Sequence, residues 1–439
     1  MKILLVAPTA LDRNGKPVRQ RWLHLPCLTL PLLAALTPPE HEVRLVFETI
    51  EDIPYDEKWD LVGLTGMGSG IVRAWQIADE FRKRGGRVII GGIAASLGQK
   101  ELTLAHADSL VIGEADAAWP RIVDDAAQNA LLPVYVNEAP PDLNDLPVPR
   151  YDLFKGRHIG TWMPVQATRG CPFSCTFCSV SAFYSGKYRK RPVEMVIRDV
   201  RAATCTGRRR IAFIDDNIGA DPVYFEELCT ALAGENIIWM SQCSLTIADH
   251  PRLLALARKS GCRILSFGVE SVNAESLKEI GKERNHPDRY ANAIDLIRKN
   301  GIDVSTEMII GFDGDDETVF ERTYDFIMKN RISVPRIHIL TPVPGTEIRS
   351  RLKSEGRITS DDFSCYSGGQ VVFQPRAFSA ARLQAEYWRL YQRLFSLPAI
   401  FHRTVHNNAS LDIFTRIFVI GTNLHYRRHI KKRICPGIV

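Results

Sequence analysis

No stretch of this 439-residue chain approaches the roughly 18 to 20 uninterrupted apolar residues that a bilayer-crossing helix needs, so no membrane span is expected. There is no internal repeat and no low-complexity tract, which excludes solenoid and fibrous architectures. The opening run MKILLVAPTALDRNGK is too briefly apolar for a secretion signal and reads as a first buried strand, so a cytoplasmic protein is expected. Without such a signal, the ten cysteines argue for reduced thiols rather than a disulfide framework. The dinucleotide pattern Gly-x-Gly-x-x-Gly is missing too. In Gly66-Met67-Gly68-Ser69-Gly70 the third glycine comes one residue early.

What is present suits a globular protein of two or three domains: 45% hydrophobic and 24% charged residues, enough for sizeable cores. The formal charge of +6 is unevenly spread. Residues 1–150 hold 15 Lys/Arg against 20 Asp/Glu, whereas residues 376–439 hold 11 against 2. The basic tail is densest at Arg427–Arg433, beyond the partly apolar segment Leu411–Ile420. A solvated terminal helix is the favoured reading of it, and a peripheral contact with a membrane the alternative. The aromatics do not interleave with the basic run, so no nucleic-acid partner is expected.

Up to about residue 142, short β-branched runs at Lys2–Val6, Val43–Phe47, Asp60–Thr65, Arg87–Gly91 and Ser109–Ile112 alternate with helical patterns near 28–37, 71–84, 97–106 and 117–129. This alternation predicts βαβ units and a flavodoxin-like, doubly wound sheet. Gly66, Gly68, Gly91 and Gly92 follow its third and fourth strands, where such sheets bind ligands. Tight turns explain those glycines equally well. The Pro-rich acidic segment Glu138–Pro149 reads as a linker. Six further strands, at Pro164–Thr168, Ile211–Asp215, Ile238–Cys243, Ile264–Val269, Val304–Gly311 and Arg336–Thr341, predict a partial (β/α)6 TIM-type barrel over residues 143–355. Residues 356–439 form a mainly helical extension with a strong amphipathic helix at Ala380–Phe395. The class is α/β.

Seven cysteines stand singly and are expected to be packed thiols, Cys243 among them. Cys171, Cys175 and Cys178 differ, because they share one eight-residue loop directly after the first barrel strand. Three thiolates so spaced can hold a soft metal centre. A structural zinc site needs a fourth ligand, and no second Cys-x2-Cys or His-x3-His follows. A cubane iron–sulfur cluster on three cysteines leaves one iron open for a substrate or cofactor. Phe177 is placed to shield such a cofactor.

Cys171-x3-Cys175-x2-Cys178, with Phe177 before the last cysteine, resembles the signature of the radical S-adenosylmethionine (SAM) enzymes. The preceding flavodoxin-like domain and the extension after the barrel look like the subgroup with an N-terminal cobalamin (B12)-binding domain. The resemblance implies a [4Fe–4S] cluster on the three cysteines, SAM chelated to its open iron, and a 5′-deoxyadenosyl radical formed by one-electron cleavage. It implies cobalamin held by the glycine loops. It also implies an external one-electron reductant such as flavodoxin or ferredoxin, and a small-molecule or lipid substrate. Matching SAM-holding segments assign Asp215 or Asp216 to the SAM ammonium, Glu270 with Ser271 to the ribose, Gly311 to close packing under adenine and Pro344 to its border. Arg189 and Arg191 are candidates for an anionic cofactor edge, and Gln242, Cys243 and His338 for the barrel interior. Two departures stand out. No Asp-x-His-x-x-Gly supplies a histidine to cobalt, and Ala94-Ala95 stands after Gly-Gly-Ile where relatives often carry His-Pro.

The leading expectation is transfer of a SAM-derived methyl group, through cobalamin, to an unactivated carbon or phosphorus centre. The alternative is cobalamin-independent radical chemistry: cyclisation, carbon–carbon bond formation or aminocarboxypropyl transfer. An RNA-modifying protein or a zinc-binding protein ranks below both.

Overall fold

The computed structural model describes every residue except 138, 161, 406–410 and 437–439, so part of the expected linker, Glu138, lies outside the described residues. Six strands form the first sheet: β1 (Lys2–Ala7), β2 (Glu42–Phe47), β3 (Leu61–Thr65), β4 (Val88–Gly91), β5 (Ser109–Ile112) and β6 (Val134–Val136). Their order is β2-β1-β3-β4-β5-β6 and every pairing is parallel. Successive residues of β1, Ile3 to Val6, are all buried because helices cover both faces. The three-residue edge strand β6 escapes sequence reading because so short a run carries too little periodicity. The single helix expected near 97–106 is two short ones, Ile93–Ser96 and Lys100–His106, parted at Gly98 with its left-handed φ of +84°.

The second sheet comprises β7 (Met163–Val165), β10 (Arg210–Phe213), β11 (Ile238–Cys243), β12 (Cys262–Glu270), β13 (Asp303–Ile310) and β14 (Val334–Ile339), in the order β14-β13-β12-β11-β10-β7, all parallel. β7 and β14 are its two edges, so this is an open barrel. The first barrel strand ends earlier than expected. After Val165 the chain turns into a separate two-residue pairing of β8 (Thr168–Arg169) with β9 (Arg189–Lys190).

The extension closes the barrel. Helix Ala380–Leu394 packs on the outside, where the Tyr391 and Tyr387 hydroxyls bond the Ile337 carbonyl. The terminal helix, Ile413–Lys431, lies on the inner face. Its Val419 packs with Ile264 of β12 and Val334 of β14, and Phe418 and Tyr426 join them. The helix is solvated on one face only: Arg428, Lys431, Lys432 and Arg433 are exposed, as expected of the basic run, while Thr415, Val419, Asn423 and Ile430 are buried. A charge count reports composition, not which face of a helix finds a cavity to fill. No described helix is long and apolar enough to cross a membrane.

The carboxyl edges of the two sheets face each other. Helix Ile93–Ser96, after β4, contacts helix Ser179–Tyr184, after the cysteine loop. Leu97 packs on Gly345, and Pro344 lies beside Gly98.

Candidate functional site

The cysteine loop springs from β8. Gly170, with φ +82°, has no room for a side chain, since a Cβ there would stand 2.1 Å from the Lys187 carbonyl oxygen. Glycine thus fixes the turn into Cys171. The Cys178 amide donates to the Cys175 carbonyl at 3.1 Å, and the Ser181 hydroxyl to the Phe173 carbonyl at 2.8 Å. Burial pushes all three thiols upward. At Cys175 the cations Lys282 and Arg284 oppose that push, and Arg284 Nη2 lies 3.6 Å from its sulfur. Asn217 Nδ2 lies 3.9 Å from Cys171 Sγ. Soft thiols beside two cations suit an anionic metal–sulfur centre. Among the described residues no three His, Cys, Asp or Glu side chains converge on one point as ligands of a single ion. A cubane does not need them to, because each cysteine binds a different iron.

The two aspartates after β10 separate in role. Asp215 is buried and accepts from the Ala167 amide at 3.2 Å and from the Thr168 amide and hydroxyl at 2.5 and 2.6 Å. It captures the chain between β7 and β8, which is why β7 stops early, and it is not free for a SAM ammonium. Asp216, on the opposite side of the chain, accepts only from the Gly170 amide at 3.1 Å. Burial raises its carboxyl to about 6. Asp215→Ala leaves three buried donors unpartnered and is expected to cost about 3 kcal/mol or more in denaturant unfolding. Asp216→Ala should unfold near wild type and weaken SAM binding, measured by equilibrium dialysis.

Glu270 ends β12 at a left-handed φ of +61°, an uncommon conformation for a side chain of this size, next to a register shift. It pairs with Lys282 at 2.6 Å, and Lys282 also donates to the Gly268 carbonyl at 3.0 Å. Ser271 is buried, its hydroxyl capping the Asn273 amide at 3.0 Å, so the structure gives it a local rather than a ligand contact. Gly311, with φ +100°, is hemmed by Leu383 and Phe373 of the extension, so backbone conformation and packing both demand the glycine. Phe177 is half-buried and edge-on to Phe312, ring centroids 6.4 Å apart. Pro344 is buried at the domain junction.

On the facing edge, Gly66 and Gly92 press together. A Cβ on Gly92 would stand 2.6 Å from the Gly66 carbonyl oxygen, so these two glycines join loops to each other. Gly68, at φ +52°, has open space around its Cα, whereas a side chain at Gly91 would make ordinary contact with Val111. Ala94 and Ala95 are buried in the first domain's core. Arg189 and Arg191 are not at a cofactor edge either. Arg191 pairs with Asp199 at 2.8 Å and Arg189 with Glu114. Glu114 and Asp116, after β5, both bind Arg169, two residues before Cys171. Cys243 is buried, its thiol pushed up to about 12.

Asn217, Lys282, Arg284 and Arg169 were missed in sequence. Asn217 alone lies next to residues singled out there, Asp215 and Asp216. Arg284 reaches Cys175 from 109 residues away, Lys282 comes from the same distant loop, and Arg169 is marked only by its partners in the first domain, so no local spacing reveals them.

Residues 165–327 match the model of the Radical SAM superfamily. The chain is 30% identical over 411 residues to bacteriochlorophyllide d C-12(1)-methyltransferase of Chlorobaculum tepidum, covering 92% of this chain and 89% of that protein. It is 28% identical over 439 residues to the same organism's bacteriochlorophyllide d C-8(2)-methyltransferase, covering 96% and 94%. Among solved structures, the fold matches the radical SAM methyltransferase TsrM of Kitasatospora setae with cobalamin and a [4Fe–4S] cluster bound, at a TM-score of 0.68, 15% identity and coverage of 98% and 97%.

Proposed function

Because the chain belongs to the radical SAM superfamily and stands among its methyltransferases, we propose that it cleaves SAM at a [4Fe–4S] cluster and methylates an unactivated centre of a small molecule, with cobalamin as carrier. The carrying observation is that the carboxyl edges of the two sheets face each other, with the cysteine loop on one and the glycine loops on the other. When bound, the cluster supplies the electron that splits SAM, taken from an external one-electron donor, and cobalamin supplies the methyl carrier. Cys171, Cys175 and Cys178 hold the cluster, Lys282 and Arg284 balance its charge, and Asp216 accepts from the SAM ammonium. Residues 1–142 form the cobalamin-holding unit. Its loop fits a bulky ligand: Met67 is exposed, Gly68 and Gly70 have open space, and the buried Gln99 Oε1 beside Gly98 has no donor.

Anaerobic reconstitution tests this reading. The expected result is a brown protein that retains a corrinoid, releases 5′-deoxyadenosine and passes deuterium from methyl-labelled SAM to product. A protein that cleaves SAM yet never retains a corrinoid favours the cobalamin-independent alternative.

The substrate class extends to lipids on one further observation. Leu397 and Phe401 on helix Leu397–Thr404, Val405 just past its end, and Ile413, Phe414, Ile417 and Leu424 on the terminal helix are exposed, with Arg210 over the Phe414 ring. Apolar stripes beside arginine and lysine suit an anionic bilayer surface. Sedimentation with phosphatidylglycerol vesicles is expected, and replacing Ile413 and Ile417 together by Ser should lower the bound fraction at least about tenfold. Equal sedimentation of both proteins overturns the contact.

A further inference from the structure

We propose that the inner wall of β13 and β14 recognises a carboxylate of the substrate through Arg336 and His338. This rests on the methyltransferase reading above and names a chemical class for its substrate.

Strand alternation places these side chains. Ile337 and Ile339 of β14 are buried against the outer helices, so Arg336 and His338 lie on the opposite, inner face. Glu307 of β13 stands opposite Arg336 in register, and Gly268 of β12 opposite Glu307. One step lower on the same faces, Val334 and Ile264 meet the terminal helix, which floors the space. Beside it, Cys435 Sγ approaches His338 Nδ1 at 3.7 Å and closes the wall. Upward, the row continues through Gly268 to Lys282, whose ammonium lies over that glycine and neighbours Cys175. The wall therefore opens toward the cluster loop.

Its chemistry is unbalanced. Arg336 pairs with Glu307 and donates to Ser266 Oγ at 3.1 Å, and His338 Nε2 lies 3.2 Å from the other Glu307 oxygen. One carboxylate thus serves two bases. Among the described residues the Arg336 Nε–H has no acceptor, although that nitrogen is buried. The Glu307 carboxylate and the Cys435 sulfur favour the protonated form of His338, against the pull of burial. Two basic side chains then share the Glu307 carboxylate in a confined space, which suits one further negative charge. A singly charged carboxylate supplies that and an acceptor for Nε–H, and solvent still reaches 24%, 23% and 29% of the Arg336, Glu307 and His338 side chains.

The test uses the reconstituted holoenzyme with hexanoate and hexanamide as probes, followed by saturation-transfer NMR. Wild type should bind hexanoate at least about tenfold tighter than hexanamide. Arg336→Met should abolish that difference, and Arg336→Lys should restore part of it. Glu307→Gln removes the carboxylate that Arg336 and His338 share and should tighten hexanoate several-fold, an opposite sign that loss of folding cannot mimic. Equal binding of the two probes by wild type, or a preference unchanged in Arg336→Met, overturns the proposal. Release of 5′-deoxyadenosine from SAM in the same samples reports the radical SAM reading separately.

Discussion

Cys175→Ala is expected to yield a folded but colourless protein that releases no 5′-deoxyadenosine from SAM. Cys175 is the most deeply buried of the three loop cysteines and the one flanked by Lys282 and Arg284. Removing it leaves two thiols for a centre that needs three, while Arg284 loses its sulfur neighbour and Lys282 keeps only Glu270. Losing a mere outer partner of a metal ligand costs roughly 10- to 100-fold in affinity or activity. Loss of a ligand itself should exceed that and bring turnover to background. Iron content, visible absorbance and nucleoside release check the result together. Cys243→Ala is the control: that thiol is packed against Gly219 and Ile247, so the variant should keep its colour. A Cys175→Ala protein that keeps both iron and SAM cleavage would remove the basis for the cluster assignment.

Arg169→Ala is expected to destabilise the fold by about 3–5 kcal/mol, because it strands the buried Asp116 carboxylate and leaves Glu114 with one cation in place of two. The side chains of Arg169, Glu114 and Asp116 are only 6%, 10% and 9% exposed, and Arg169 Nη1 lies 2.6 Å from Glu114. Glu114 keeps Arg189, so Asp116 bears more of the loss. Denaturant unfolding measures the cost. Replacing Arg169 by Met with Glu114→Gln and Asp116→Asn should recover much of it, since no charge is then left buried alone. The clamp also joins the loop after β5 to the start of the cysteine loop. The repaired triple variant should therefore still cleave SAM while methyl transfer falls, as the two edges lose their fixed spacing. If SAM cleavage and methyl transfer fall in proportion, the clamp serves stability alone.

Both large effects concern short-range chemistry, but they were not equally visible in the residues. Cys171, Cys175 and Cys178 lie within eight positions on one loop, so their spacing alone announces shared chemistry. Arg169 and Glu114 are 55 positions apart, and nothing around either marks the other. The same contrast holds between Asp215 and Asp216. Adjacent in sequence and chemically identical, they differ only in that the backbone of Ala167 and Thr168 folds onto one of them.

The sequence by itself determined the α/β class, the alternation that builds two parallel sheets and the three-cysteine loop at a strand's end. These depend on period and spacing, which neighbouring residues impose through backbone geometry. Only the tertiary structure decided that a basic terminal helix floors the barrel, that Gly311 serves the extension, and that Arg336, Glu307 and His338 share one wall. Each of those depends on which distant surface removes a side chain from water, and desolvation is a property of the assembled fold rather than of any stretch of chain.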